Sequence, residues 1–200
     1  MATLAAVGFK LHTGWAVLVA VTETSGKFEV LLRRRIELLP PGDVIPRFVY
    51  HRAAELTRAQ ATKLIHQAEA AACDAGRAAV NEALDHLRSL GVTVKAAGIA
   101  SGSKPIPADL SAVLRSHPMI HTAEAALFQR SIATSCQDER LAVVSARERE
   151  VWGKTAVSWS LKEPALRKRV EDLRKSVGAP WGADQKTAAV YALLALASHH

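Results

Sequence analysis

Apolar and polar positions follow one rhythm over the first forty residues and another after Thr57, and the switch separates a sheet-forming segment from a helix-forming one. Ala5-Ala6-Val7-Gly8-Phe9 and Trp15-Ala16-Val17-Leu18-Val19-Ala20-Val21 are extended apolar runs, parted by a tight connection at Gly14. After the turn Thr24-Ser25-Gly26, Phe28 to Leu39 forms a third extended run, in which Arg33, Arg35 and Glu37 alternate with Arg34, Ile36 and Leu38. Runs rich in strand formers joined by short turns predict a three-strand antiparallel meander. Pro40-Pro41-Gly42 ends it, and Pro46 to Arg52 reads as an irregular connection. From Thr57 the apolar residues Leu64, Ala68, Ala71, Ala75, Ala79, Leu84 and Leu87 recur near the helical period of about 3.6. Thr57 supplies a cap, Gly91 a stop, and Gly76 inside the pattern marks a kink or a close approach.

Val92 to Ala100 is a fourth strand, followed by a loop at Ser101-Gly102-Ser103, Pro105 and Pro107. A short helix over Ala108–Arg115 precedes a long one from Ser116 to about Ser135, with Pro118 in its first turn. Arg140 to Ser145 is the fifth strand, Ser160 to Val177 a charged amphipathic helix, and Ala183 to Ala197 an apolar last helix beyond the break Gly178-Ala179-Pro180-Trp181-Gly182. The order β-β-β-α-β-α-β-α-α predicts an α/β fold. Its mixed five-stranded sheet combines the antiparallel meander with two parallel strands, with helices on both faces. Without an internal repeat or a low-complexity linker, residues 1–200 read as a single domain.

Composition narrows the function classes. Of 200 residues, 49% are apolar and 22% charged, which excludes a disordered chain. The longest clean apolar stretch, Ala188 to Ala197, is half of the roughly 20 residues a spanning helix needs. With no signal-like region before Val7, a cytoplasmic protein without membrane association is expected. Cys73 and Cys136 lack the spacing of a metal knuckle or a disulfide framework. A net charge of +7 favours a polyanionic partner, nucleic acid among them. Oligomeric state stays open, a homodimer included, and the terminal His199-His200 pair is set aside because it reads equally as native sequence or as tag.

His12-Thr13-Gly14-Trp15-Ala16-Val17 resembles the Thr-Gly-Trp turn between the first two strands of RuvC-type Holliday-junction resolvases, members of the ribonuclease H-like group. Glu124 to Ser145, then Ala146-Arg147-Glu148-Arg149-Glu150, sit where that family has a helix, its fifth strand and a Pro-x-x-Val-Lys-type segment. Ala183-Asp184-Gln185-Lys186-Thr187-Ala188 is similar to its final acidic helix. The resemblance implies a ribonuclease H-like fold and phosphodiester hydrolysis with two divalent ions about 4 Å apart on four carboxylates. The carboxylates are mostly missing. Gly8-Phe9-Lys10-Leu11 replaces the first-strand Asp-Pro-Gly turn, Ile99-Ala100-Ser101-Gly102 holds no acid, and Thr187 stands where a second helical acid belongs; only Asp184 matches. Ordinary two-metal cleavage is not expected, and any hydrolase would need an atypical site.

Other residues carry candidate chemistry. Lys10, Asp184 and Lys186 converge if the fold is right: Lys10 then either neutralises Asp184 or, with His12, Thr13 and Lys186, holds a phosphate at a helix start. His117, His121 and Glu124 lie within about 60° of one another around a helix. They offer three ligands to a divalent metal, a His–Glu acid–base pair, or simply a polar stripe capped by Ser116. Together with Asp184 they are the candidate catalytic groups. Trp15 reads as core, and Trp181 as a plug under the last helix. Trp152 and Trp159 suit packing before base stacking. Arg33 and Arg35 share one strand face and Arg34 the other, with Lys27 nearby. Arg167-Lys168-Arg169 and Arg174-Lys175, mixed with Glu163, Glu171 and Asp172, form a solvated face of helical ion pairs. Three functions follow: a nucleic-acid-associated protein of bacterial resolvase type without ordinary nuclease activity, a small-molecule phosphate or nucleotide site at Lys10, Thr13, Asp184 and Lys186, or a non-catalytic partner-binding scaffold.

Overall fold

The computed structural model describes residues 3–40, 42, 44–102 and 105–199. Pro41, Ser103 and His200, placed above in a turn, a loop and the terminal pair, lie outside the described residues. Three strands open the chain: β1 (Thr3–His12), β2 (Trp15–Thr24) and β3 (Lys27–Glu37). Helices α1 (Val49–Ala53) and α2 (Arg58–Ser89) lead to β4 (Val92–Ala100), then α3 (Leu110–Leu114), α4 (His117–Asp138) and β5 (Ala142–Ala146). The chain closes with α5 (Glu148–Ser158), α6 (Glu163–Asp172), α7 (Arg174–Val177) and α8 (Ala183–Ala197).

The sheet has the order β3-β2-β1-β4-β5. β1, β2 and β3 pair antiparallel, while β4 runs parallel to both β1 and β5. This is the mixed sheet that the alternation of strands and helices predicts. Strand side chains alternate between its faces. Ala5, Val7, Phe9, Leu18 and Ala20 join the core under α2 and α4. Ala6, Val17, Val19, Val21 and Ala96 join the core under α8, α5 and α6.

Thr57 caps α2 as expected: its side chain accepts from the Gln60 N–H, and the Gln60 side chain accepts from the Thr57 N–H at 3.1 Å. Gly91 ends that helix at φ +74°, its N–H donating to Arg88 O at 2.9 Å. Gly76 marks a close approach: a Cβ there would lie 3.0 Å from Ser135 Oγ on α4. Ser116 sits at the N-cap of α4 but makes no side-chain capping bond, unlike the role its residue type suggested.

Three local expectations need correction. α1 forms inside the stretch read as irregular; five residues are too few to show a period, and the buried Val49, Tyr50 and Ala53 hold it by tertiary packing. α5 was not expected at all, because Val151, Thr155 and Ala156 are its only buried residues among charged ones, and Gly153 interrupts them. The single helix read over 160–177 is divided into α6 and α7 at Leu173, and Ser160 at φ +52° separates α6 from α5.

α8 is buried from Ala188 to Leu196 and lies directly on the backbone of the parallel strands. Gly8 and Gly98 are Cα partners across β1 and β4. A Cβ at Gly8 would fall 2.1 Å from Ala188 O, and one at Gly98 would fall 2.0 Å from Tyr191 O. Gly8→Ala and Gly98→Ala should each destabilise the fold by about 1–3 kcal/mol in urea unfolding, since the helix must lift off the sheet. Gly153→Ala, whose Cβ meets only Glu163 Oε2 at 3.6 Å in a helix interior, should instead stabilise by up to about 1 kcal/mol. Equal effects at all three positions would sink this account.

Cys136 is fully buried on α4, and desolvation pushes its thiol up to about 12. It should therefore resist a thiol reagent at pH 8 in the native protein and react only on unfolding. Rapid native labelling of Cys136, read by peptide mass, would contradict that.

Candidate functional site

The parallel strands β1, β4 and β5 end together, at Lys10–His12, Ala100 and Ala146, which is where an open α/β sheet leaves a crevice for ligands. α4 and α5 wall this crevice. It consists of two adjoining hollows, of about 330 Å³ and about 640 Å³, which share Ala100, His121, Ala125, Gln129 and Glu148. Lys10, His12, Thr13 and Glu124 line the first, and Ser101, Arg147 and Arg149 the second. A separate hollow of about 610 Å³ lies beside β3, lined by Phe28, Arg169, Asp172 and Lys175. One of its two carboxylates is already engaged: hydrogen bonds from Lys168 and Lys175 pull Asp172 down to about 2.

Lys10 Nζ lies 2.7 Å from both carboxylate oxygens of Glu148, in the first turn of α5. The pairing of Lys10 with Asp184 considered from the sequence is therefore corrected. Glu148 reaches Lys10 first because α5 starts at the end of β5, an arrangement that strand order alone did not reveal. Asp184 Oδ1 instead lies 3.1 Å from His12 Nε2. That contact is off the N–H direction, so buried His12 Nε2 has no aligned hydrogen-bond partner. Lys186 Nζ lies 2.5 Å from Glu171 Oε2 on α6. Two residues along a helix rotate a side chain by about 200°, so Lys186 and Asp184 leave α8 on opposite sides. Lys186 lines neither hollow among the described residues.

His12 also stacks on Trp15, with ring centroids 4.0 Å apart and planes 7° from parallel. The Arg35 guanidinium sits 3.8 Å from the same indole ring. Trp15 is thus half-buried rather than wholly core, packing on the α8 side while carrying the His12 ring and the Arg35 guanidinium. Beneath the crevice Tyr191 donates its hydroxyl to Ala146 O at 3.1 Å. Burial, and then the charge of Glu148, raise its phenol above the ordinary value.

The second constellation is built on α1 and α4. His117 and His121, one turn apart, place their Nε2 atoms 3.0 Å apart. Glu124, one turn further, is buried and turned inward: Oε1 accepts from the Tyr50 N–H at 2.8 Å, and Oε2 lies 2.5 Å from His51 Nδ1. His51 joins the two other histidines, its ring centroid 5.4 Å from that of His117 and 4.8 Å from that of His121. One ligand atom from each of the three histidines lies within 4.8 Å of the others, so the group can coordinate a metal ion. His51 escaped the sequence reading because no motif links it to α4; only the packing of α1 against α4 brings it there. Glu124 holds His51 rather than extending the stripe of His117 and His121.

The carboxylates that would hold two hard divalent ions are not in place. Glu148 is tied to Lys10, Asp184 stands beside His12, and Glu124 uses both oxygens on Tyr50 and His51. Position 100, at the end of β4, is alanine and position 187 is threonine. This donor set does not fit a pair of magnesium ions, each of which needs several oxygen ligands.

No family model matches the chain, and no curated protein matches it. Solved structures do. Thermus thermophilus RuvC aligns at 13% identity over 95% of this chain and 92% of its own, with a TM-score of 0.54. The same protein in complex with Holliday junction substrate aligns at 13% identity over 96% and 91%, also at 0.54. The fold is that of RuvC.

Within this RuvC-type fold, the basic runs are mostly spent on structure. Arg33 donates to the carbonyls of Gly178 and Ala179, each at 3.2 Å, and also to Pro180, while Arg34 pairs with Glu82 on α2. Arg167–Glu163, Lys168–Asp172 and Lys175–Asp172 are helical ion pairs of 2.6–2.8 Å, as their spacing predicts. Trp181 is buried, its indole N–H donating to Val170 O at 2.9 Å, and Arg167 covers Trp152 at 4.3 Å. Trp159 donates to Leu193 O at 2.9 Å and packs edge-on against Phe28. A double-mutant cycle checks the cleft's own pair. Lys10→Met and Glu148→Gln should couple by about 0.5–1 kcal/mol in urea unfolding, whereas Lys10→Met and Asp184→Asn should be additive. Coupling to Asp184 instead would contradict the geometry.

Proposed function

We propose that this protein binds nucleic acid, with a preference for branched DNA, and does not cut it by two-metal catalysis. The observation that carries the reading is the replacement of the RuvC-type cluster by a lysine–carboxylate pair within a fold that overlays RuvC along 95% of the chain. The related structure was solved with a Holliday junction substrate, and here Arg147 and Arg149 line a hollow adjoining the one that Lys10 and His12 line. A net charge of +7 supports a polyanionic partner. A fixed ammonium at the end of β1 answers phosphate charge without a bound cation. If hydrolysis takes place on this fold, His117, His121, Glu124 and Asp184 are the groups assigned to it. A cytoplasmic setting and a working unit formed by residues 1–200 as a single domain belong to the same reading, which leaves the oligomeric state open, a homodimer included. Among the described residues no helix is long and apolar enough to cross a membrane.

A small-molecule phosphate site is the second reading, because Lys10, His12 and Thr13 line one hollow of about 330 Å³. Fluorescence anisotropy with a four-way junction, a duplex and a single strand, over 50–200 mM salt, separates the two. Junction binding should be tightest and weaken steeply with salt, with a log–log slope of about 0.9 per duplex phosphate contacted. No binding at low salt, together with thermal stabilisation by a nucleotide, would favour the small-molecule site. Magnesium-dependent cleavage of the junction would overturn the non-cleaving part of the proposal.

A further inference from the structure

The geometry points to a mononuclear transition-metal site of the zinc class at His51, His117 and His121, with Glu124 as the residue that positions His51. His117 and His121 stand one helical turn apart with Nε2 atoms 3.0 Å from each other. A tetrahedral ion at about 2.0–2.1 Å from each nitrogen sets its ligands about 3.3 Å apart. The three candidate ligand atoms already lie within 4.8 Å, and the His117 and His121 rings are exposed, so side-chain rotation alone can close the set.

Glu124 defines how His51 takes part. An ionised carboxylate only accepts hydrogen bonds, so Oε2 at 2.5 Å keeps the His51 proton on Nδ1. The lone pair is then on Nε2, which becomes the atom available to a metal. Glu124 is itself fixed by the Tyr50 N–H at 2.8 Å, from the residue next to His51. A carboxylate that orients a histidine in this way sets both its tautomer and its ring direction. Three imidazoles without a ligating carboxylate select zinc, cobalt, nickel or copper over magnesium or calcium. Three protein ligands leave one position open, and His121 lines both hollows of the crevice, so water or a phosphate oxygen can reach it. The site rests on histidine geometry alone and is independent of nucleic-acid binding.

Metal-free full-length protein should be titrated with Zn²⁺ by calorimetry and with Co²⁺ by visible absorption, with no nucleic acid present. One equivalent should bind, and cobalt should show the intense bands of four-coordinate geometry. His51→Ala, His117→Ala and His121→Ala should each weaken binding by about 100-fold or more. Glu124→Gln should weaken it by about 10–100-fold, because the amide N–H donates to Nδ1 and drives the ring proton onto Nε2. Circular dichroism and melting temperature check that each variant folds; His117→Ala, at an exposed position, keeps the test decisive even if a buried change unfolds the chain. A variant lacking His199 and His200 should bind as the parent does. Failure of the parent to take up either metal, or full uptake by His51→Ala, overturns the site. Unchanged affinity in folded Glu124→Gln overturns the positioning role.

Discussion

The geometry of the crevice depends on how closely α8 lies on β1 and β4. Gly8 and Gly98, paired across the two strands, leave no side chain between sheet and helix, so backbone meets backbone. That contact carries the N-terminus of α8 down to the end of β1, where Asp184 meets His12. It also makes α8 the bed for α5: Thr155 donates to Val190 O at 3.3 Å and Trp159 to Leu193 O at 2.9 Å. α5 anchored in this way presents Glu148 to Lys10. A larger residue at either glycine would therefore disturb both the Lys10–Glu148 pair and the His12–Asp184 contact, although neither glycine touches them.

The floor of the crevice balances its own charge. Here Lys10 provides a covalently attached cation, and one carboxylate, Glu148, suffices to balance it. With Ala100 and Thr187 at the other positions, little uncompensated negative charge is left to attract magnesium. The Lys10–Glu148 pair remains partly open to water, at 17% and 55% exposure, so its importance lies in local charge more than in stability. This floor is a neutralised pair with arginines nearby rather than an acidic cluster.

The histidine group lies on the α1–α4 wall of the same crevice and follows a different logic. Its stabilising element is buried: Glu124 satisfies both oxygens, one on a backbone N–H and one on His51, and these bonds offset the cost of desolvating the carboxylate. The exposed rings of His117 and His121 are free to adjust around a ligand, while His51 is held. A softer donor set thus sits beside a lysine–carboxylate pair.

The sequence by itself determined the order of elements, the meander, the long capped helix and the absence of acids from positions 8–11 and 99–102 and from position 187. Those features are local: alternation, caps, turn residues and residue identity act within a few positions of one another. It did not determine α1 or α5, whose short or weakly periodic stretches are helical only because α2, α4 and α8 pack against them. The site divides along the same line. The helical spacing of His117, His121 and Glu124 was legible, as was the placing of Lys10 near the end of the first strand. That Lys10 meets Glu148, that Asp184 meets His12, and that Glu124 turns to His51 were decided by tertiary structure alone. A residue's identity sets which partners it can accept, but the choice among acids and bases far apart in the chain goes to whichever the packing of helices on the sheet brings within reach.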